Sequence, residues 1–451
     1  MTIATKAAGR PIPSPDLAAA ARAGQALFGE RRILGALEAL HQAMGDAFRL
    51  PLPGFSSVVL VGPEANKFLL TESREQFLWR AEGDPVTRLL REGILVTDGA
   101  FHDGLRQLMA PALHRSLFER FIEVMWRQSD GITRYWRDGA RVDLLKEMRR
   151  VALCILTEAL FGDDFSHTVD ALLGAIVRTI HYISPGPWVI WPGVPRPGYR
   201  QALLRMDEYL YDLIARRRAQ TTAQSPDLLS MLIDSGMDDG LIKDQLLTMF
   251  IAGHDTSTAL LVWALYLLSR NDDAMERARA EIEAALGLAP PTLAQVRQLS
   301  YLDRVIKETL RLYPPIHLGS RIAATDTTFC DYLIPAGTRV LYSIYLTHRD
   351  ERYWPAPQVF DPDRFAPEHA GQRPAYTFVP FGAGPRNCLG AAFAQVEAKV
   401  VLARLLQRFA FSSVGRDARP RMRATLEPSP AVLVETHWLD GASEGYSVGL
   451  A

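Results

Sequence analysis

The chain has 451 residues, with 50 Lys and Arg against 51 Asp and Glu, so no cationic excess is available to grip a polyanion and nucleic acid is excluded as an expected partner. Hydrophobic residues make up 48%, enough for a large core. Three irregularly spaced cysteines, Cys154, Cys330 and Cys388, argue against a disulfide framework and for a reducing compartment, with no CxxC spacing for zinc.

The opening MTIATKAAGRPIPSP has no apolar stretch of the secretory kind, which predicts a cytoplasmic protein with loose ends at 1–15 and 440–451. Helical periodicity then predicts helices over 16–45, 104–127, 142–161, 199–218, 241–270, 273–286, 301–312 and 389–409. Strand patterns are few: SSVVLVG at 56–62, a pair TTFCDYLI and TRVLYSIY around Pro335-Ala336-Gly337, and AVLVETHW near the end. Neither repeats nor a Gly/Ser-rich linker divide the chain, so one mainly α domain with a minor β portion is expected. The apolar run ALLVWALYLL at 259–268 is too short to span a bilayer. SPGPWVIWPGVPRPG, 184–198, is too rich in Pro and Gly for a helix, and its Trp188, Ile190 and Trp191 suggest an apolar lid over a pocket.

The helix at 241–270 is apolar on most faces, which places it in the core. Its centre, AGHDTST, is not. Gly253 lets a neighbour approach the backbone, and the Thr256 hydroxyl can return to the Ala252 carbonyl four residues back. Asp255 and Thr256 fit either a satisfied polar pair in the core or an acid and alcohol that deliver protons.

FGAGPRNCLG, 381–390, sets Cys388 among Gly384, Pro385, Arg386 and Gly390, just ahead of an apolar helix. Glycines permit positive φ and close approach, and free amides at a helix start favour a thiolate. A cysteine that merely fills a core explains neither the glycines nor the arginine.

Phe381, Gly384, Arg386, Cys388 and Gly390 resemble the F-x-x-G-x-R-x-C-x-G signature of the cytochrome P-450 superfamily, the heme-thiolate monooxygenases. Ala252, Gly253, Asp255 and Thr256 match its [AG]-G-x-[DE]-T pattern. The resemblance implies a soluble, bacterial-type enzyme with heme b on Cys388, O2 as co-substrate, and protons supplied through Asp255 and Thr256. It further implies that Glu308, Arg311 and Arg364 form a buried ion triad behind the cofactor. His102, Arg106 and Arg321 would hold the heme propionates. Leu95 and Val96 (with Ile94), Trp188, Trp191, Ile316 and Leu318 are expected around a pocket for a fatty acid, terpenoid or carotenoid. NAD(P)H electrons would arrive through a ferredoxin or flavodoxin and its reductase, docked on Arg106, Arg115, Arg404 and Arg408 of a monomer. A peroxygenase or coupling enzyme on the same scaffold, and a heme-thiolate gas sensor, are the alternatives.

Overall fold

The computed structural model describes residues 9–29, 32–52, 55–186, 194, 196–220 and 227–439. The helices that frame the site are α1 Gly99–Met109, α2 Phe118–Thr133, α3 Leu144–Phe161, α4 Val169–His181, α5 Tyr199–Ala219, α6 Asp239–Leu268, α7 Ser300–Leu312 and α8 Ala391–Arg408. Caps set the ends. The Asp143 carboxylate accepts the first amides of α3, Gly162 closes that helix at φ 61°, and Asp238 caps α6.

Two expected helices are divided. The segment 104–127 breaks at Pro111, which lacks an amide proton: α1 ends at Met109, short 3₁₀ turns follow, and α2 starts at Phe118. The apolar spacing stays in phase across that break, so periodicity alone could not reveal it. The segment 16–45 splits into Leu17–Gly24, a π-helical turn Gln25–Gly29, and Ile33–Met44. Ahead of it, residues expected to be loose are docked: Arg10–Pro11 pairs in parallel with Tyr332–Leu333, and Ile12 is buried.

A mixed sheet flanks the helices, built from β1 Ala47–Leu52, β2 Phe55–Leu60, β3 Phe77–Leu78, β4 Leu318–Ala323 and β5 Arg339–Ser343 in the order β1-β2-β5-β4-β3. The expected hairpin around Pro335-Ala336-Gly337 does not form. Thr327–Phe329 instead turns at Cys330-Asp331 and pairs with Tyr332–Ile334, while β5 joins the larger sheet, antiparallel to β4 and parallel to β2. The turn at Gly337 (φ 79°) hands the chain from one sheet to the other. A C-terminal hairpin, Arg419–Met422 with Leu426–Ser429, lies against α6: the Trp263 indole N–H donates to the Leu426 carbonyl at 2.7 Å.

The main core lies between α2, α3, α6, α7 and α8. At 30 residues α6 is long and apolar enough by composition to cross a bilayer, yet 83% of its apolar window is buried within the protein. Its apolarity therefore serves the core.

Two arginines expected on the surface are structural. Arg404 clasps Asp130 of α2 through two hydrogen bonds, and Arg408, only 3% exposed, bonds Asp130 and Thr133. Both lock α8 to α2 and are withdrawn from any docking face.

Glu397 of α8 is buried against α6, where the Ser257 hydroxyl donates to its carboxyl at 2.6 Å. Burial pushes this acid up to about 8, with the Ser257 hydrogen bond pulling the other way. The folded chain thus keeps a proton that the unfolded chain releases near about 4.3. Stability from this group is complete below that value and is lost as pH rises through the folded value, by up to about 1.4 kcal/mol per pH unit. Glu397→Gln has no such proton, so its melting temperature should vary less between about pH 5 and 8 than that of the parent. Parallel melting profiles would assign the dependence to another group.

Candidate active site

The middle of α6 opens where the rest is sealed. Ala252 is exposed and Gly253 and Thr256 are half-buried, between the buried Ile251, His254, Asp255 and Ser257. Spacings of three and four put Ala252, Gly253 and Thr256 on one helical face. The Thr256 hydroxyl donates to the Ala252 carbonyl at 2.7 Å, as its position suggests, and the helix remains continuous. Gly253 admits a close neighbour from α3: a Cβ there would lie 2.6 Å from Leu156 Cδ1. His254 bonds the Phe250 carbonyl, and burial lowers it to about 4, so it is neutral.

Asp255 looks away from that face. One carboxylate oxygen accepts from Arg149 Nη2 of α3 at 3.0 Å and the other from the Thr425 hydroxyl of the C-terminal hairpin at 2.8 Å. The same Arg149 nitrogen bonds Glu427 at 2.7 Å. Arg149, Thr425 and Glu427 carry no sequence motif; only the fold assembles them.

The cysteine loop is braced from several sides. The Cys388 amide donates to the Phe381 carbonyl at 2.8 Å. Gly384 (φ 66°) cannot be replaced, because a Cβ would meet the Leu70 carbonyl oxygen at 2.4 Å. Gly390 departs from expectation: its φ is −89°, and a Cβ there would meet nothing within 4 Å. Cys388 is exposed, yet the surrounding protein pushes its thiol up; the Gly390 amide and the Arg106 charge pull it down less strongly.

A cationic group assembles beside this loop. Arg321 and Arg386 both stack on Trp79, at 3.3 and 4.9 Å from the ring centroid. Arg321 is buried and also bonds the Tyr342 hydroxyl and the Ser320 carbonyl. Arg386 uses Nη2 for the Thr97 carbonyl and Asp98, and burial lowers it to about 10. His102, predicted to face the cofactor, bonds Asp103 at 2.8 Å and is pushed down by burial. Arg106 takes the Asn387 carbonyl at 2.9 Å and its side chain at 2.7 Å, tying α1 to the residue before the cysteine. Trp79 and Asn387 were not foreseen.

The predicted ion triad is assembled. Glu308 and Arg311, both with no exposed side-chain surface, share two hydrogen bonds of 2.7 Å, and Arg364 Nε stands 3.4 Å from Glu308. Arg311 also donates to the carbonyls of His348, Pro357 and Val359. The His348 ring, lowered to about 3 chiefly by burial and then by Arg311, is neutral and accepts the Val379 amide at 3.0 Å. A continuous path of contacts thus runs from the triad through His348 to the start of the cysteine loop.

Among the expected pocket residues, Leu95 and Ile316 are exposed and Leu318 is half-buried, whereas Val96 and Ile94 are packed into the core. Trp188, Ile190 and Trp191 lie outside the described residues.

Arg311→Ala should cost about 3–5 kcal/mol, because it strands the buried Glu308 charge; a denaturant midpoint within error of the parent would contradict the burial. Gly253→Val should destabilise by about 1–3 kcal/mol through overpacking, and Leu156→Ala should relieve part of that cost in a double-mutant cycle. Strict additivity would remove Leu156 as the cause.

Residues 19–434 match the Cytochrome P450 family. Cyclooctatin synthase of Streptomyces melanosporofaciens is 30% identical over 91% of this chain and 93% of that protein. Pentalenene oxygenase of Streptomyces avermitilis is 29% identical over 85% and 88%. A solved structure titled retinoic acid bound cyanobacterial CYP120A1 superposes with a TM-score of 0.83 at 26% identity, covering 96% of this chain and all of that one. The chain belongs to the cytochrome P450 family of monooxygenases.

Proposed function

We propose that the protein inserts one oxygen atom of O2 into an apolar, lipid-like molecule of the terpenoid, carotenoid or fatty-acid kind. The observation that carries this reading is the exposed Cys388, held in a braced loop beside a group of arginines. Iron protoporphyrin fits these residues. The sulfur can serve as ligand, Gly390 leaves clearance beside it, and Arg106, Arg321 and Arg386 supply cations for two carboxylates. When bound, this group supplies the redox chemistry that activates O2.

The chain's own residues do the rest. Arg106, Arg321, Arg386 and His102 hold and orient the cofactor's acids. The Thr256 hydroxyl, on the open face of α6, passes protons, and Asp255 supplies them from the neighbouring face. Leu95, Ile316 and Leu318 bind apolar substrate; the names of the terpenoid-related relatives and the retinoic acid of the structural neighbour favour that class. Electrons come from NAD(P)H through a ferredoxin or flavodoxin with its reductase in the cytoplasm. The partner docks on the exposed Arg115 and half-exposed Arg106 of a monomer, while Arg404 and Arg408 are committed internally. An acid and alcohol on α6 favour this route over direct use of peroxide and over a sensor.

The reduced, CO-bound holoprotein should show the strongly red-shifted Soret band of thiolate ligation, and Cys388→Ser should lose it. A colourless protein after hemin supply, or an unchanged spectrum in the serine variant, overturns the proposal. Retinoic acid, geraniol and palmitic acid, scored by the low- to high-spin shift, then rank the substrate classes.

A further inference from the structure

We infer that Glu427 is a second acid of the proton path, sharing Arg149 with Asp255 and reloading it after each proton is spent. This rests on the monooxygenase reading above and adds to it a residue that no motif marks.

Three features carry the inference. Arg149 Nη2 is a single nitrogen that binds Asp255 at 3.0 Å and Glu427 at 2.7 Å, so the two carboxylate oxygens lie no further apart than one bridging water can span. Asp255 is 2% exposed, and both its oxygens are engaged, by Arg149 and Thr425. It therefore has no contact with bulk water from which to recover a proton. Glu427 points its other oxygen outward, toward Arg423 Nε at 3.4 Å, and the Arg423 side chain is 27% exposed. The cluster thus has an inner acid and an outer acid, arranged in sequence from solvent to α6.

The groups that face the two acids come from several packed elements. Arg149 comes from α3, Asp255 from α6, and Arg421, Arg423 and Glu427 from the C-terminal hairpin, while His181 closes the group from the end of α4. Burial, then the Asp255 charge, push Glu427 up, and Arg149 and Arg423 pull it back. Burial and the neighbouring Arg423 push His181 down, so it is neutral and leaves the cationic work to the arginines.

The step balances simply. When Asp255 gives up its proton inward, the O–H bond of Glu427 breaks and a new one forms on an Asp255 oxygen. Glu427 is left as an anion beside Arg149 and Arg423 until water supplies a proton past Arg423 and His181. The net change is one proton taken from solvent. Glu427 acts through Asp255 and does not touch the reacting atoms.

Glu427→Gln in the holoprotein keeps the shape and an acceptor for Arg149 but carries no exchangeable acid. The CO spectrum should remain red-shifted, which separates this test from the monooxygenase reading itself. Infrared spectra of protein labelled with ¹³C-carboxyl glutamate should show a protonated carboxyl band that titrates in the parent and disappears in the variant. With the probe lipid giving the largest spin shift, product formed per NAD(P)H should fall roughly tenfold, below the usual range for a general acid because water replaces the relay in part. The solvent isotope effect should rise, and Glu427→Asp should restore most of the coupling. A glutamine variant with the red-shifted band, unchanged coupling, isotope effect and pH profile would overturn the inference. So would a parent protein without a titrating glutamate band, which decides the matter even where the glutamine variant fails to fold.

Discussion

Glu308 and Arg311 meet through two 2.7 Å hydrogen bonds with no side-chain surface exposed on either partner. Such a pair stands only if the remaining donors are taken, and the five N–H groups of Arg311 find five acceptors: both Glu308 oxygens and the carbonyls of His348, Pro357 and Val359. Because three of those acceptors are backbone, the ion pair fixes the path of the chain leading to the cysteine. His348 extends the constraint to Val379, and the Phe381 carbonyl completes it at the Cys388 amide. The position of one sulfur therefore depends on a charge buried well away from it in sequence.

The same economy governs α6. A helix this apolar buries most of its surface, and the small or short Ala252, Gly253 and Thr256 form the less buried face at its centre. Asp255, next to Thr256 in the chain, is turned about 100° round the helix from it. The fold gives Asp255 partners of its own from α3 and the C-terminal hairpin. The acid is thereby held in a defined place, at the expense of any direct approach by solvent.

The sequence was legible where chemistry is local. Thr256 reaching back to Ala252, the i, i+3 pair Glu308–Arg311 and the strain-relieving Gly384 are each encoded within a few residues, whereas the third partner Arg364, far along the chain, was legible only through the family resemblance. What escaped was long-range pairing. Trp79 beneath Arg321 and Arg386, Asp130 between Arg404 and Arg408, and Glu427 beside Asp255 are joined by the fold alone. Gly253 shows the limit most clearly: a close approach was readable from the missing side chain, but not that the neighbour is Leu156. Likewise α1 and α2 merge in periodicity because the break at Pro111 preserves the phase of the apolar stripe.

The buried charges also explain why a chain of nearly neutral total charge can run an ordered site. Arg149, Arg311 and Arg408 are all largely sequestered, each bonded to carboxylates, hydroxyls or carbonyls from other elements. Pairing of this kind adds little net stability over apolar packing, but it penalises every arrangement in which a partner is missing. In this protein the penalty falls where geometry matters: at the cysteine loop through Arg311, between α8 and α2 through Arg408, and at the acid of α6 through Arg149. An apolar core of the same size would fold, yet nothing in it would distinguish one placement of Cys388 or Asp255 from another shifted by an ångström. The interior arginines supply that distinction because a guanidinium needs its acceptors in fixed directions, which apolar contacts do not require.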